Sequence, residues 1–168
     1  PKVLPASGGG TSVCNTREAY LALPAELRQQ IDRMKTANVI HGSATRSHGR
    51  GVADQIAEQR RRNPTPVIHP MVATHPVTGT KAINFNLTKL EHIVGMNPED
   101  SQDLLEYLTL QVAKPECVYT HKGRMGDMFL WDNRSSMHRA NFDFTGDRTL
   151  LRIVIAGDGA VTTGDGGY

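Results

Sequence analysis

The amino-acid sequence predicts one mainly β domain with helical insertions, in an α+β or jelly-roll-like arrangement. Three observations carry this. Short apolar runs bounded by Gly, Pro, Asn and Asp recur at 67–74, 81–86, 117–121, 127–131, 136–138 and 149–156. Helix signals with clear caps interrupt these runs, and no internal repeat is present. A length of 168 residues suits a single core.

In chain order, residues 1–12 contain Gly8-Gly9-Gly10-Thr11, where backbone can approach a neighbouring segment closely. The phosphate-loop pattern GxxxxGK[ST] is absent, and Thr11 reads first as a turn residue and second as a donor to an oxyanion. Asn15 or Thr16 caps a short helix through Leu21. Pro24 opens another, with Leu27, Ile31 and Met34 on one face. Residues 37–40 read as a strand. The segment 41–51, HGSATRSHGRG, is small, polar and basic, as a lid loop would be, and His41 and His48 read there as surface histidines. Residues 52–62 look helical until Asn63-Pro64 stops them.

The runs 67–74 and 81–86 form a hairpin through His75-Pro76-Val77-Thr78-Gly79. Asn97-Pro98-Glu99-Asp100 starts a helix whose buried stripe is Leu104, Leu105, Leu108 and Val112, and Lys114-Pro115 ends it. The last third is β, including a strand over 149–156. From Gly157 the composition is rich in Gly and Thr, so 159–168 reads as a flexible tail.

Composition excludes several classes of function. The net charge of +2 is too small to argue for a nucleic-acid partner, and the one basic run, Arg60-Arg61-Arg62, reads as a solvated helix end. Cys14 and Cys117 form no CxxC pair, which argues against a zinc knuckle or a disulfide framework and suits a reducing cytoplasm. No apolar run approaches the roughly 18 residues a membrane span needs. Aromatic content of 5% and a mean hydropathy of −0.40 are on the polar side for an independent globular unit, which points to part of something larger.

The chemistry concentrates between Trp131 and Arg152. His138 ends an apolar run, and Arg148 and Arg152 lie four residues apart on the expected strand, a spacing that turns both to one face. An imidazole suits a metal, and paired guanidinium groups suit carboxylates, which they clasp through parallel charge-assisted bonds. A catalytic non-haem iron site needs two histidines and one carboxylate, two of them usually arranged as His-x-Asp or His-x-Glu. None of the seven histidines has an acid two residues later. The residues found there are Ser43, Arg50, Met71, Val77, Val94, Gly123 and Ala140.

Several segments, in order, carry a family resemblance: Gly8 to Thr11, Thr74 to Gly79, Lys81-Ala82-Ile83 through Asn86, Lys114-Pro115-Glu116, Gly126-Asp127, Trp131-Asp132-Asn133-Arg134, His138 and Gly157-Asp158. Together they resemble the taurine dioxygenase and 2,4-dichlorophenoxyacetate dioxygenase family of Fe(II)- and 2-oxoglutarate-dependent oxygenases. The resemblance implies a double-stranded β-helix, or jelly roll, incomplete at its N-terminal side, so that residues 1–168 form a single partial domain. It implies His138 as one iron ligand, with the His-x-Asp pair absent from this chain. It also implies Thr11 and Arg148 as binders of 2-oxoglutarate, and Arg152, Asn86 and Lys89 on the substrate side. In the family ten residues usually separate the histidine from the first arginine; nine do here, as a loop shortened by one residue within 144–147 would give.

The implied activity uses Fe(II), 2-oxoglutarate and O₂ to hydroxylate a small anionic substrate, a sulfonate or carboxylate, with release of succinate and CO₂. A small-molecule substrate, self-association into a homo-oligomer and a cytoplasmic location accompany it, with neither nucleic acid nor membrane as partner. Two alternatives stand beside it. One is a non-catalytic fragment or pseudoenzyme of the same fold, and the other is a structural β-domain whose Arg60 to Arg62 helix binds an acidic partner.

Overall fold

The computed structural model describes residues 1–39, 57–58 and 60–157. The expected lid at 41–51, the start of the expected helix at 52–56 and the tail at 159–168 lie outside the described residues. Residues 60–62 are helical, and Arg61 and Arg62 both pair with Glu58, at 2.5 and 2.8 Å.

One sheet of the molecule is three-stranded and antiparallel. Strand β1 (Thr11–Asn15) lies between β7 (Val118–His121) and β8 (Ser136–Ala140). Thr11 faces His121 and Ala140 across the two ladders, and Val13 faces Tyr119 and His138. Directly opposed residues share a face, so Thr11, Val13, Tyr119, His121 and His138 all point the same way. A second sheet sets β2 (Lys35–Asn38) between β3 (Val67–Pro70) and β6 (Leu90–Ile93). The hairpin of β4 (Val72–Thr74) and β5 (Lys81–Ile83) stands beside it, in the register Val72 to Ile83 and Thr74 to Lys81.

The helices start where local chemistry permits. In α1 (Thr16–Leu21) the Asn15 side chain accepts from the N–H groups of Arg17 and Glu18, both at 3.2 Å. Helix α2 (Ala25–Ile31) begins after Pro24. In α3 (Pro98–Val112) Asn97 Oδ1 accepts from the Asp100 N–H at 2.9 Å, and Pro98 takes the first position, where no N–H is needed. A 3₁₀ turn (Pro115–Cys117) then leads into β7.

Ile31, Met71, Ile93 and Leu108 are fully buried and form one cluster with Tyr20, Leu23, Val72, Ile83, Phe85, Leu90 and Val112. Buried Ser101 ties α3 to this core by accepting from the Ile93 N–H at 3.0 Å.

Four sequence expectations change. The run 67–74 is two strands, because buried Met71 donates its N–H to Met34 at 3.0 Å and hands the chain from one sheet to another. Strand β6 was not expected, since Leu-Glu-His-Ile buries its two ends and does not alternate. Thr11 opens β1 instead of a turn. The strands expected at 127–131 and 149–156 form no ladder, and only Thr149 bridges to Val3. A strand needs a partner for its backbone groups, and among the described residues 150–157 has none. Leu151, Ile153, Val154 and Ile155 are accordingly exposed.

Candidate metal and oxyacid site

The β8 register aims His138 to the same face as Thr11 and Val13. The Trp131 ring lies beside it, with centroids 4.8 Å apart. Partial desolvation, and secondly the charge on Arg152, lower the pKa of His138 from its ordinary value. Both effects favour the neutral imidazole, the form that binds a metal. Although residues 150–157 are not a strand, Arg152 still stands close enough to act on His138 electrostatically, with its side chain exposed.

Arg148 is half-buried and held at two points. Its Nε donates to the Gly9 carbonyl at 2.6 Å, and its Nη2 donates to Thr11 Oγ1 at 3.0 Å. The glycine run makes this approach practicable. Gly9 has φ +66°, and a Cβ there would press on Pro5, Arg148 and Phe144; Gly8, at φ +70°, lies against the Asp143 backbone. The Gly9 N–H is satisfied by Asp143 Oδ1 at 2.8 Å. The structure thus brings Thr11 and Arg148 together on the sheet that carries His138, and the remaining guanidinium donors suit a carboxylate. That donor set fits 2-oxoglutarate. The neutral, accessible imidazole fits one position on iron, but among the described residues no group of three His, Cys, Asp or Glu side chains could hold a metal ion.

Sequence reasoning missed an aromatic row beside the histidine. His121 stacks on Phe129 at 4.5 Å, Phe129 meets Trp131 at 5.2 Å, and Trp131 meets His138, while Tyr119 flanks the far end, 6.1 Å from Phe129. The signal was present as alternation, Tyr119 with His121 and Phe129 with Trp131, two residues apart in each segment. Nε2 of His121 lies 3.1 Å from Asp127 Oδ2, near enough for attraction but not aligned as a hydrogen bond. Val13, Tyr119, Phe129 and Trp131 border a cleft of about 360 Å³ that also reaches Cys14 and Cys117.

Asn86 and Lys89 are placed elsewhere, in the turn between β5 and β6, and both are exposed. Asn86 Oδ1 accepts from the Thr88 N–H and hydroxyl, so its side chain shapes that turn. A second network was also not foreseen, in which buried His75 meets Asp132, 57 residues away, at 3.0 Å.

The profile of the "Taurine catabolism dioxygenase TauD, TfdA family" matches residues 2–154. The chain belongs to this family. Among TauD/TfdA relatives, it is 32% identical over 160 residues to the alpha-ketoglutarate-dependent 2,4-dichlorophenoxyacetate dioxygenase of Cupriavidus pinatubonensis, covering 95% of this chain and 54% of that protein. It is 33% identical over 171 residues to an alkylsulfatase of Acinetobacter baylyi, covering 96% and 51%. Among solved structures, AAD-2 in complex with Mn(II) and N-oxalylglycine superposes with a TM-score of 0.69 at 30% identity, over 82% of this chain and 52% of that one. The TauD/TfdA resemblance and the jelly-roll fold class expected from the sequence are therefore borne out, and the chain spans about half the length of the curated relatives it matches.

Proposed function

We propose that the intact protein is an Fe(II)- and 2-oxoglutarate-dependent dioxygenase, of which this chain is a partial domain, that hydroxylates a small anionic substrate and releases succinate and CO₂. The observation that carries this is the Arg148 and Thr11 clasp on the same sheet face as His138. Membership of the TauD/TfdA family supports it. His138 would supply one ligand, and the other two would come from residues outside this chain. When bound, iron supplies open coordination positions and the redox capacity for O₂ chemistry.

The residues of this chain bind and orient. Arg148 takes the far carboxylate of 2-oxoglutarate through its unused N–H groups, and Thr11 holds the guanidinium at the correct tilt and lends its hydroxyl to the same group. N-oxalylglycine, the ligand named with AAD-2, is likewise a diacid. Arg152, exposed and beside His138, meets the anionic end of the primary substrate. Relatives named for 2,4-dichlorophenoxyacetate and for sulfate esters suit a cation at that place. The row from His121 to Trp131 walls one side of the site. Asn86 and Lys89, which the resemblance implies on the substrate side, lie in the β5–β6 turn, where Asn86 holds Thr88, and the proposal gives them no contact with substrate.

A cytoplasmic setting also belongs to the proposal. It is supported by the two free thiols, and among the described residues no helix is long and apolar enough to cross a membrane. Anaerobic titration of the intact protein with Fe(II) and then 2-oxoglutarate tests the function. A weak visible charge-transfer band is expected, and its absence would overturn the dioxygenase assignment. No observation favours the non-catalytic alternative.

A further inference from the structure

The imidazole of His75 is buried at the start of the β4–β5 turn, far in sequence from the site, and both of its nitrogens are engaged. Nδ1 faces the N–H groups of Val77 and Thr78, each at 3.2 Å, so it must be the unprotonated acceptor. The ring proton then sits on Nε2, 3.0 Å from Asp132 Oδ2, and is donated to it.

Asp132 is the first residue of the turn that enters β8. Its carboxylate also accepts from the Arg134 N–H at 2.8 Å and from the guanidinium at 2.6 Å, while its carbonyl accepts from the Ser135 N–H and the Ser136 hydroxyl. Its neighbour Trp131 donates its indole N–H to Asn133 Oδ1 at 3.0 Å and lays its ring beside His138. The hairpin and the turn belong to different sheets, so no ladder ties them.

We propose that His75 is a positioning residue: its Nε2–H bolts the Asp132 turn to the β4–β5 hairpin and thereby holds the Trp131 indole against the His138 imidazole. The bolt rests on geometry alone, and its value to catalysis rests on the proposed role of His138 as a ligand. The two nitrogens can be separated by substitution. In His75→Asn, Oδ1 stands where Nδ1 was and still accepts from Val77 and Thr78, but nothing reaches Asp132. In His75→Gln, the amide N–H group stands where Nε2 was, so the bond to Asp132 survives while the turn loses its acceptor.

Trp131 is the sole tryptophan of the chain, so its fluorescence reports the bolt without interference. Time-resolved anisotropy on the intact protein, without metal or co-substrate and with any tryptophan outside these 168 residues replaced by phenylalanine, is the measurement. His75→Asn is expected to raise the amplitude of fast indole motion by about twofold, with the far-ultraviolet circular dichroism unchanged, whereas His75→Gln keeps the parent decay. Asp132→Ala cuts the same bond from the other side, and the double variant with His75→Asn should show no further rise, because coupled residues are not additive. An indole left unmoved by His75→Asn overturns the proposal, as does equal motion in the Asn and Gln variants. Should His75→Asn fail to fold, an unmoved indole in Asp132→Ala overturns it too. These readouts are independent of turnover, so the bolt and the dioxygenase assignment can fail separately.

Discussion

Replacing Arg148 by Ala in the intact protein should weaken 2-oxoglutarate by roughly 100-fold. A guanidinium has five N–H donors. Here Nε–H is occupied by the Gly9 carbonyl and one Nη2–H by Thr11 Oγ1, which leaves enough donors for a two-point clasp on a carboxylate. Each hydrogen bond to a charged group is worth about 1.5 to 3 kcal/mol. Because Arg148 is only half-buried, the lower end applies, about 3 kcal/mol for two bonds, or roughly two decades in Kd. Arg148→Lys keeps the charge and loses the fork, so it should recover only part of this. The assay is anaerobic calorimetric titration of 2-oxoglutarate with Mn(II) replacing iron, alongside a melting curve, since the substitution also removes the tie to Gly9. Arg152→Ala should leave that affinity nearly unchanged and raise KM for the primary substrate. If Arg152→Ala weakened 2-oxoglutarate more than Arg148→Ala did, the two roles would be interchanged.

Three further outcomes are expected. Gly8→Ala should cost about 2 kcal/mol or more, because φ is +70° and a Cβ would overlap the Asp143 carbonyl oxygen; an unchanged melting temperature would contradict the close approach. Burial, and next the hydrogen bond to Asp32, push the Tyr20 phenol up from 10.0 to about 12. The native state therefore keeps a proton that the unfolded chain gives up, so stability should fall as pH rises from 10 to about 12, and Tyr20→Phe should flatten that limb of a denaturant titration. Asp132 is held well below the usual carboxylate range, first by Arg134 and also by His75. Its contribution is present above that range and is lost as pH falls below it, so Asp132→Asn should shallow the acid limb, modestly because the carboxylate is partly exposed.

Much of the fold was legible because the signals are local. The Asn15 and Asn97 caps, Pro98 at the first helical position and the stripe ending in Leu108 and Val112 act within a few residues, so the chain states them outright. Strand β6 escaped because four residues with only their ends buried show no period. The split at Met71 escaped because a continuous apolar run does not say which sheet will take each half.

By itself, the sequence determined the family and the fold class, and it offered the residues of the proposed site, His138, Arg148 and Arg152, with a glycine run open to close approach. Tertiary structure alone decided who meets whom. It placed Thr11 on the Arg148 guanidinium across 137 residues of chain, Trp131 on the His138 ring, and His75 on Asp132, while setting Asn86 and Lys89 in another sheet's turn. It also left 150–157 without a ladder, although the residues there favour a strand. The physical reason is the same throughout. Caps and turns are satisfied by neighbours in sequence, whereas a strand's hydrogen bonds, a guanidinium's partners and an imidazole's tautomer are completed only by groups that folding brings from elsewhere.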